Sequence, residues 1–212
     1  MVIIWQYLII LSFLGLSACG YHPLLIDDAE VPSNYTYVIG PGDGINITVW
    51  GHPDLSGAGT VRPDGKITLP LVEDILASGK TSFELARLIE HVLDQFIRDP
   101  SVVVIVTGFQ GIEQQQIRII GQIGGSGGDS GSSRYSGMSL PYQRGMTLLD
   151  IIIRIGQIGE FADGNRASII RRVNGQYQQL GVKIDDLIED GNMDANVNML
   201  PGDILVIPEA FF

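Results

Sequence analysis

Three aspartates lie in turns that combine proline and glycine, and they are the first candidates for chemistry. Asp43 and Asp203 each follow Pro-Gly, and Asp64 lies between Pro63 and Gly65. A pair of carboxylates is the minimum requirement for hydrolysis of a glycosidic bond. In turns of this kind, however, an aspartate normally accepts a hydrogen bond from its own backbone. We therefore predict that all three carboxylates are structural and that none is catalytic.

The other reactive side chains do not form a recognisable site. His22, His52 and His91 are scattered, and the spacing typical of zinc ligands is absent from the sequence. Ser101 and Thr147 lie in no nucleophile motif such as GxSxG, and the glycine-rich segment 124–137 lacks the GxxxxGKS or GxxxxGKT pattern of a phosphate-binding loop. The sequence therefore predicts that the protein is not an enzyme and has no catalytic residue, metal ligand or cofactor.

The single cysteine, Cys19, follows a long apolar run. Residues 2–18 carry no charge and end in Leu16-Ser17-Ala18, small residues of the kind that precede a signal-peptidase site. Leu-Ser-Ala-Cys resembles a bacterial lipobox. This resemblance implies that residues 1–18 are a lipoprotein signal peptide and that Cys19 is lipidated. Glycine at position 20 implies, by the same resemblance, sorting to the outer membrane.

An uncleaved transmembrane anchor with an incidental cysteine is the alternative for this segment, since about 17–25 apolar residues can span a bilayer. No lysine or arginine precedes Cys19, whereas signal peptides usually begin with a positive charge. Residues 19–35 show no hydrophobic periodicity and are predicted to form a lipidated tether.

The composition indicates a folded, acidic protein of 212 residues, long enough for one large domain or two small ones. A hydrophobic content of 45% and a charged content of 17% exclude a largely disordered chain. The net charge of −11 argues against nucleic-acid binding, which needs a basic surface, and against electrostatic docking on anionic lipids. The acidity favours solubility, and an acidic lining that faces a polymer is the alternative.

Residues 36–108 are predicted to form a first small α+β domain. The alternating runs 45–50 and 66–69 each follow a tight turn and predict strands with one buried face. The β-branched run 101–107 is nearly all apolar, and it predicts a central strand that is buried on both faces.

One helix is predicted between these strands. Thr81 and Glu84 form a capping box at its start. Its apolar stripe at helical spacing includes Phe83 and Phe96, and Pro100 requires it to end by the preceding residue.

Residues 115–209 are predicted to form a second α+β domain. Its predicted elements are a strand over 116–123, a flexible Gly/Ser loop over 124–137, a helix from the capping box Thr147–Asp150 to Ile155, a hairpin turning at Asn174-Gly175, one helical turn over 184–189 and a last strand over 204–207.

These motifs resemble the outer-membrane polysaccharide export proteins, the Wza-type family. In the first domain the resemblance to the polysaccharide export domain rests on Tyr37-Val38-Ile39-Gly40-Pro41-Gly42-Asp43, Val49-Trp50, Val61-Arg62-Pro63-Asp64-Gly65 and Leu69-Pro70-Leu71. In the second, Pro141-Tyr142, Gly145 to Asp150, Asn165-Arg166-Ala167 and Pro201 to Leu205 resemble a soluble-ligand-binding β-grasp (SLBB) domain.

The resemblance implies a periplasmic lipoprotein, anchored in the outer membrane, whose subunits form a ring through which capsular or extracellular polysaccharide is exported. The implied partners are the polysaccharide, an inner-membrane polysaccharide co-polymerase and a separate outer-membrane β-barrel. No stretch after position 209 could span a membrane, so the resemblance is to short members that lack the C-terminal membrane-spanning helix. A monomeric glycan-binding or signalling lipoprotein is the alternative.

Overall fold

The computed structural model of the chain describes residues 22–25, 33–124 and 136–210. Within these ranges, two hydrophobic cores are present, each formed by strands and helices. This confirms the predicted α+β fold in two domains, while the β-grasp identity of the second domain stays a prediction. The signal peptide, Cys19 and most of the Gly/Ser loop lie outside the described residues.

The first domain contains five strands and one long helix. A three-stranded antiparallel sheet has the order β2-β1-β5, and β3 pairs with β4 in a separate hairpin. The elements are β1 (Gly44–Val49), β2 (Gly57–Thr60), β3 (Lys66–Leu69), β4 (Val72–Leu76), α1 (Ser82–Leu93) and β5 (Val102–Thr107).

Sequence periodicity explains how the first core is built. Ile45, Ile47 and Val49 alternate along β1 and are buried, because successive strand residues point to opposite faces of the sheet. The predicted capping box of α1 is confirmed: the Thr81 hydroxyl accepts from the Glu84 amide, and the Glu84 carboxylate accepts from the Thr81 amide. The helix then packs its buried side chains against β4 and β5.

The prediction that strand 101–107 is central and buried on both faces is wrong. β5 is an edge strand, because its one sheet neighbour among the described residues is β1. Val102 and Val104 face the core, but Val103 and Ile105 are 55% and 53% exposed. The outer face of β5 is therefore apolar and open to solvent.

The predicted stripe of α1 is also partly wrong. Phe83 and Phe96 are 69% and 54% exposed, and the helix ends at Leu93, before the predicted stop at Pro100. The Phe83 ring instead lies 5.3 Å from the Arg87 guanidinium, one turn along the helix.

The second domain is organised around a five-stranded sheet with the order β11-β10-β12-β6-β8. β12 and β6 are parallel, and the other pairs are antiparallel. The elements are β6 (Gln116–Gly121), β7 (Ile123–Gly124), β8 (Ser136–Pro141), α2 (Leu148–Ile155), β9 (Gln157–Ile158), β10 (Ser168–Val173), β11 (Gln176–Gly181), α3 (Ile184–Ile188) and β12 (Ile204–Ile207). The predicted hairpin, helices and last strand are thus confirmed.

The segment before the first domain contacts the second domain. Leu24 forms a parallel bridge with Gly181 at the end of β11, and Leu25 packs against the second core. Tyr35 also packs there, with its ring edge-on to the Tyr142 ring at 5.0 Å. Residues 23–25 therefore meet β11, one of the two edge strands of the second sheet, at its last residue, Gly181.

Candidate functional site

The same Pro-Gly-Asp turn occurs once in each domain. In the first, the Asp43 amide donates to the Gly40 carbonyl, and the Gly40 amide donates to Asp43 Oδ2 at 2.9 Å. In the second, Asp203 makes the equivalent pair of bonds with Leu200, the carboxylate bond being 2.7 Å long. Each turn needs glycine before the aspartate, since φ is near +90° there.

Asp43 is fully buried at the junction between the domains. Its Oδ1 accepts from the amides of Gln110 and Gly111 at 2.6 and 2.9 Å, and its Oδ2 accepts from the Tyr37 hydroxyl at 2.6 Å. Burial, and next the hydrogen bond to Asp43, raise the pKa of the Tyr37 phenol above its ordinary value, so this hydroxyl donates at neutral pH. Asp43 therefore ties the first turn to the segment that leads into the second domain.

Asp203 is buried in an ion pair with Arg171. Arg171 Nε donates to Oδ1 at 3.1 Å and Nη2 donates to Oδ2 at 2.7 Å, while Nη2 also donates to the Asn198 carbonyl at 2.8 Å. Both side chains are nearly inaccessible, at 5% and 2% exposure. This bidentate pair joins β10 to the turn before β12.

Asp64 belongs to a solvent-exposed group. Its carboxylate accepts from Arg62 at 2.7 Å and from the Lys66 amide at 3.3 Å. Arg62 also donates to Asp74, and this hydrogen bond lowers the pKa of the Asp74 carboxyl. Exposed ion pairs of this type stabilise a fold only slightly.

The three aspartates do not form one site. Asp43 and Asp203 belong to turns of different domains, and each is saturated by its own partners. Asp64 stands apart in the turn that precedes β3 of the first domain. The predicted lipidation site, Cys19, lies outside the described residues.

A cleft of about 440 Å³ opens beside the second Pro-Gly-Asp turn. It is lined by Arg118 on β6, Arg171 and Arg172 on β10, Tyr177 on β11, residues 200–203, and Glu113 and Gln114 of a short 3-10 helix. Cavities of this size commonly hold small ligands. The cleft could not be identified from the sequence, because its walls come from segments that are far apart in the chain.

The charged groups of the cleft differ in how far they are paired. Arg118 Nη1 contacts Glu113 at 2.5 Å, but the buried Nε atom of Arg118 has no hydrogen-bond partner among the described residues. Arg172 is exposed and forms no ion pair within the described part of the chain. Tyr177 lies directly across the hairpin from Arg172 and is 65% exposed.

No group of histidine, cysteine, aspartate and glutamate suited to a metal ion occurs in the ranges that the structure covers. Among the helices of those same ranges, none is both long and apolar enough to cross a bilayer.

Comparison with known proteins gives a consistent picture. Residues 31–107 match the family model for polysaccharide biosynthesis/export proteins. The polysialic acid transport protein KpsD of Escherichia coli is 28% identical over 192 residues, which cover 84% of this chain and 29% of that protein. The EPS I polysaccharide export outer membrane protein EpsA of Ralstonia nicotianae is 26% identical over 196 residues, covering 82% of this chain and 47% of that protein.

The matched region spans less than half the length of each of these relatives. The family model coincides with the first domain, whereas the alignments to the relatives extend over most of both domains.

Proposed function

We propose, from the match of residues 31–107 to the polysaccharide biosynthesis/export protein family, that the chain is a periplasmic, lipid-anchored subunit of an oligomeric conduit for polysaccharide. In this proposal the protein positions and passes a polymer and catalyses no reaction on it. The polymer is a capsular or extracellular polysaccharide, handed on by an inner-membrane co-polymerase and released through a separate outer-membrane barrel. The observation that carries the proposal is the family match over the first domain.

The edge of the first sheet supports assembly into an oligomer. The outer edge of β5 has no strand partner among the described residues, and its outer face exposes Val103 and Ile105. Trp50, whose amide donates to the Ser101 carbonyl at the start of β5, is 81% exposed. Unprotected apolar edge strands are ready to pair with another chain. A second copy of this chain is the occupant that we propose.

The strand that β5 would meet on the next copy is β2, which forms the other edge of the same sheet. A contact between β5 and β2 joins unlike surfaces. Heterologous contacts of this kind close into rings when the rotation between subunits allows it. The remaining edge of the second sheet, β8, provides a further strand for subunit contacts.

We expect Ile105→Lys to break the oligomer and to abolish export. A lysine on β5 places a charge in the proposed contact, where it loses its hydration. The mass of the delipidated protein in solution should fall to that of the monomer, and a strain carrying the variant should release no more polysaccharide than a deletion strain.

Thr68→Lys is the matched control, because Thr68 is an exposed β-branched residue on β3 of the same domain. The free energy of unfolding of each variant should lie within about 0.5 kcal/mol of that of the parent, as is usual for surface substitutions. An oligomer that survives Ile105→Lys would disprove the β5 contact. A strictly monomeric parent, with export intact in the deletion strain, would overturn the conduit and leave the monomeric glycan-binding or signalling lipoprotein.

The anchor proposal places the second domain beside the membrane. Fully extended residues span at most about 3.6 Å each, so the three steps from Cys19 to His22 cover about 11 Å at most. Residues 23–25 are bonded to Gly181 at the end of β11. A lipid on Cys19 would therefore hold this end of β11 close to the bilayer surface.

Cys19→Ser should release the protein from the membrane fraction and abolish incorporation of labelled fatty acid. Serine lacks the thiol that carries the acyl glycerol, and two or more acyl chains are needed for stable anchoring. Ser12→Ala, within the same apolar run, is the control and should leave both readouts unchanged. Fatty-acid labelling that persists in Cys19→Ser would show that the lipid is attached elsewhere.

A further inference from the structure

The geometry points to the cleft beside the second Pro-Gly-Asp turn as a binding site for a carboxylated sugar unit. This inference rests on the proposed function, in that the exported polymer supplies the sugar. The cleft combines two cationic side chains that are not fully paired, Arg118 and Arg172, with the exposed ring of Tyr177.

The local charge of the cleft opposes the charge of the chain as a whole. The chain carries a net charge of −11, yet arginines 118, 171 and 172 line the cleft against only two carboxylates, those of Glu113 and Asp203. The acidic composition of the chain does not account for an excess of arginine at one cleft, so the excess has a local cause. A negatively charged ligand is such a cause.

The three arginines have different roles. Both ends of the Arg171 guanidinium are used by Asp203 and by the Asn198 carbonyl, so Arg171 forms the floor of the cleft. Arg118 is held by Glu113 through Nη1, which leaves its buried Nε without an acceptor. Buried polar atoms without a partner are rare in folded proteins. A ligand oxygen near Arg118 would supply the missing acceptor.

Arg172 and Tyr177 are positioned by the hairpin. They are direct cross-strand partners, so their side chains lie on the same face of the sheet about 5 Å apart at Cβ. The turn between them uses Asn174 and Gly175, both with positive φ, which is the tight geometry that fixes hairpin register. The two side chains therefore have a defined spacing before any ligand binds.

This pairing suits a carboxylated sugar better than an inorganic anion. A guanidinium can bind a carboxylate with two parallel hydrogen bonds. The face of a sugar ring is formed by C–H groups and packs against an aromatic ring, which Tyr177 exposes. A phosphate or chloride ion would use the arginine and leave the tyrosine without a function. Gln114 and Glu113 add a donor and acceptors for hydroxyl groups.

The test is calorimetric titration of the purified full chain with a tetrasaccharide of galacturonic acid. The neutral galactose tetrasaccharide and inorganic phosphate are titrated in parallel. We expect the acidic tetrasaccharide to bind at least tenfold more tightly than the neutral one, because only the acidic sugar carries the carboxylates. Equal affinity for the two sugars, or displacement of the acidic sugar by equimolar phosphate, would overturn the proposal.

Single variants test the contributions of Arg172 and Tyr177 to binding one at a time. Arg172→Gln should weaken binding of the acidic tetrasaccharide by tenfold or more, and Tyr177→Ala should do the same. Tyr177→Phe, which keeps the ring, should bind within about threefold of the parent, since the hydroxyl is not needed for stacking. Arg98→Gln, an exposed arginine of the first domain, is the charge-matched control and should bind like the parent. Unchanged affinity in Arg172→Gln would contradict the site.

The outcome is independent of the test of export. If the acidic sugar does not bind while the deletion strain loses export, the cleft inference fails and the conduit stands. If the acidic sugar binds as described while export is intact in the deletion strain, the cleft is a glycan site and the conduit fails.

Discussion

Replacing Arg171 with alanine should lower the free energy of unfolding by about 3–5 kcal/mol, because it leaves the Asp203 carboxylate buried without its counter-ion. The carboxylate would keep the Leu200 amide as a donor, but it would lose both guanidinium bonds. The Asn198 carbonyl would lose its Arg171 bond as well. Equilibrium unfolding in urea measures the difference.

The neighbouring residue provides the control. Arg172→Ala removes the same side chain one position further along β10, where it is exposed and forms no ion pair within the described ranges. We expect its unfolding free energy to stay within about 0.5 kcal/mol of the parent. If the two variants had equal free energies of unfolding, the loss of Arg171 would not leave a costly unpaired charge at Asp203.

A double replacement tests the cause. In Arg171→Met combined with Asp203→Leu, both charges are removed, so neither is left buried without its counter-ion, although the Leu200 amide and the Asn198 carbonyl lose their side-chain partners. Replacements of this kind are often neutral or stabilising. A double variant that is more stable than Arg171→Ala would assign the loss in the single variant to the stranded carboxylate.

Features set by neighbouring residues could be predicted from the sequence. The capping box of α2 is confirmed, with the Thr147 hydroxyl accepting from the Asp150 amide and the Asp150 carboxylate accepting from the Thr147 amide. The hairpin of β10 and β11 is confirmed as well, because Asn-Gly is the residue pair that its turn requires. In both cases the interacting groups lie within a few positions of one another.

The error at β5 has a different origin. A run of β-branched apolar residues is typical of a strand whose two faces are both covered. The sequence does not identify what covers each face. In the described chain only the face with Val102 and Val104 is covered by its own core. The exposed Val103 and Ile105 fit the proposal that a second copy of the chain covers the outer face of β5.

The cleft could be predicted only in part. The alternation along β10 assigns Arg172 and Tyr177 to one face once the Asn-Gly turn fixes the register. Arg171 occupies a core-facing position in the same strand, and a charged residue there indicates a buried partner. Its partner is 32 residues away, and nothing local in the sequence identifies it.

Asp43→Ala should lower the free energy of unfolding by about 3–5 kcal/mol, as much as the loss of Arg171. The reason is that four buried or half-buried donors lose the charged acceptor that they share. Those donors are the amides of Gly40, Gln110 and Gly111 and the hydroxyl of Tyr37. Asp64→Ala is the control: it removes an aspartate from a similar turn on the surface, so it should cost less than about 1 kcal/mol.

The location of the damage distinguishes this variant from a general loss of stability. Two of the four donors, the amides of Gln110 and Gly111, belong to the segment between the domains. Gly40 packs closely against this segment: a Cβ added at Gly40 would lie 1.9 Å from the carbonyl oxygen of Gly111. Without the carboxylate, the amides of Gln110 and Gly111 should exchange with deuterium faster than the amides of β1 and β6, because local opening no longer breaks a charged hydrogen bond. Uniform acceleration over both domains would contradict a role for Asp43 at the junction. Faster exchange confined to 110–111 would establish that one buried carboxylate sets how firmly the first domain holds the segment leading to the second.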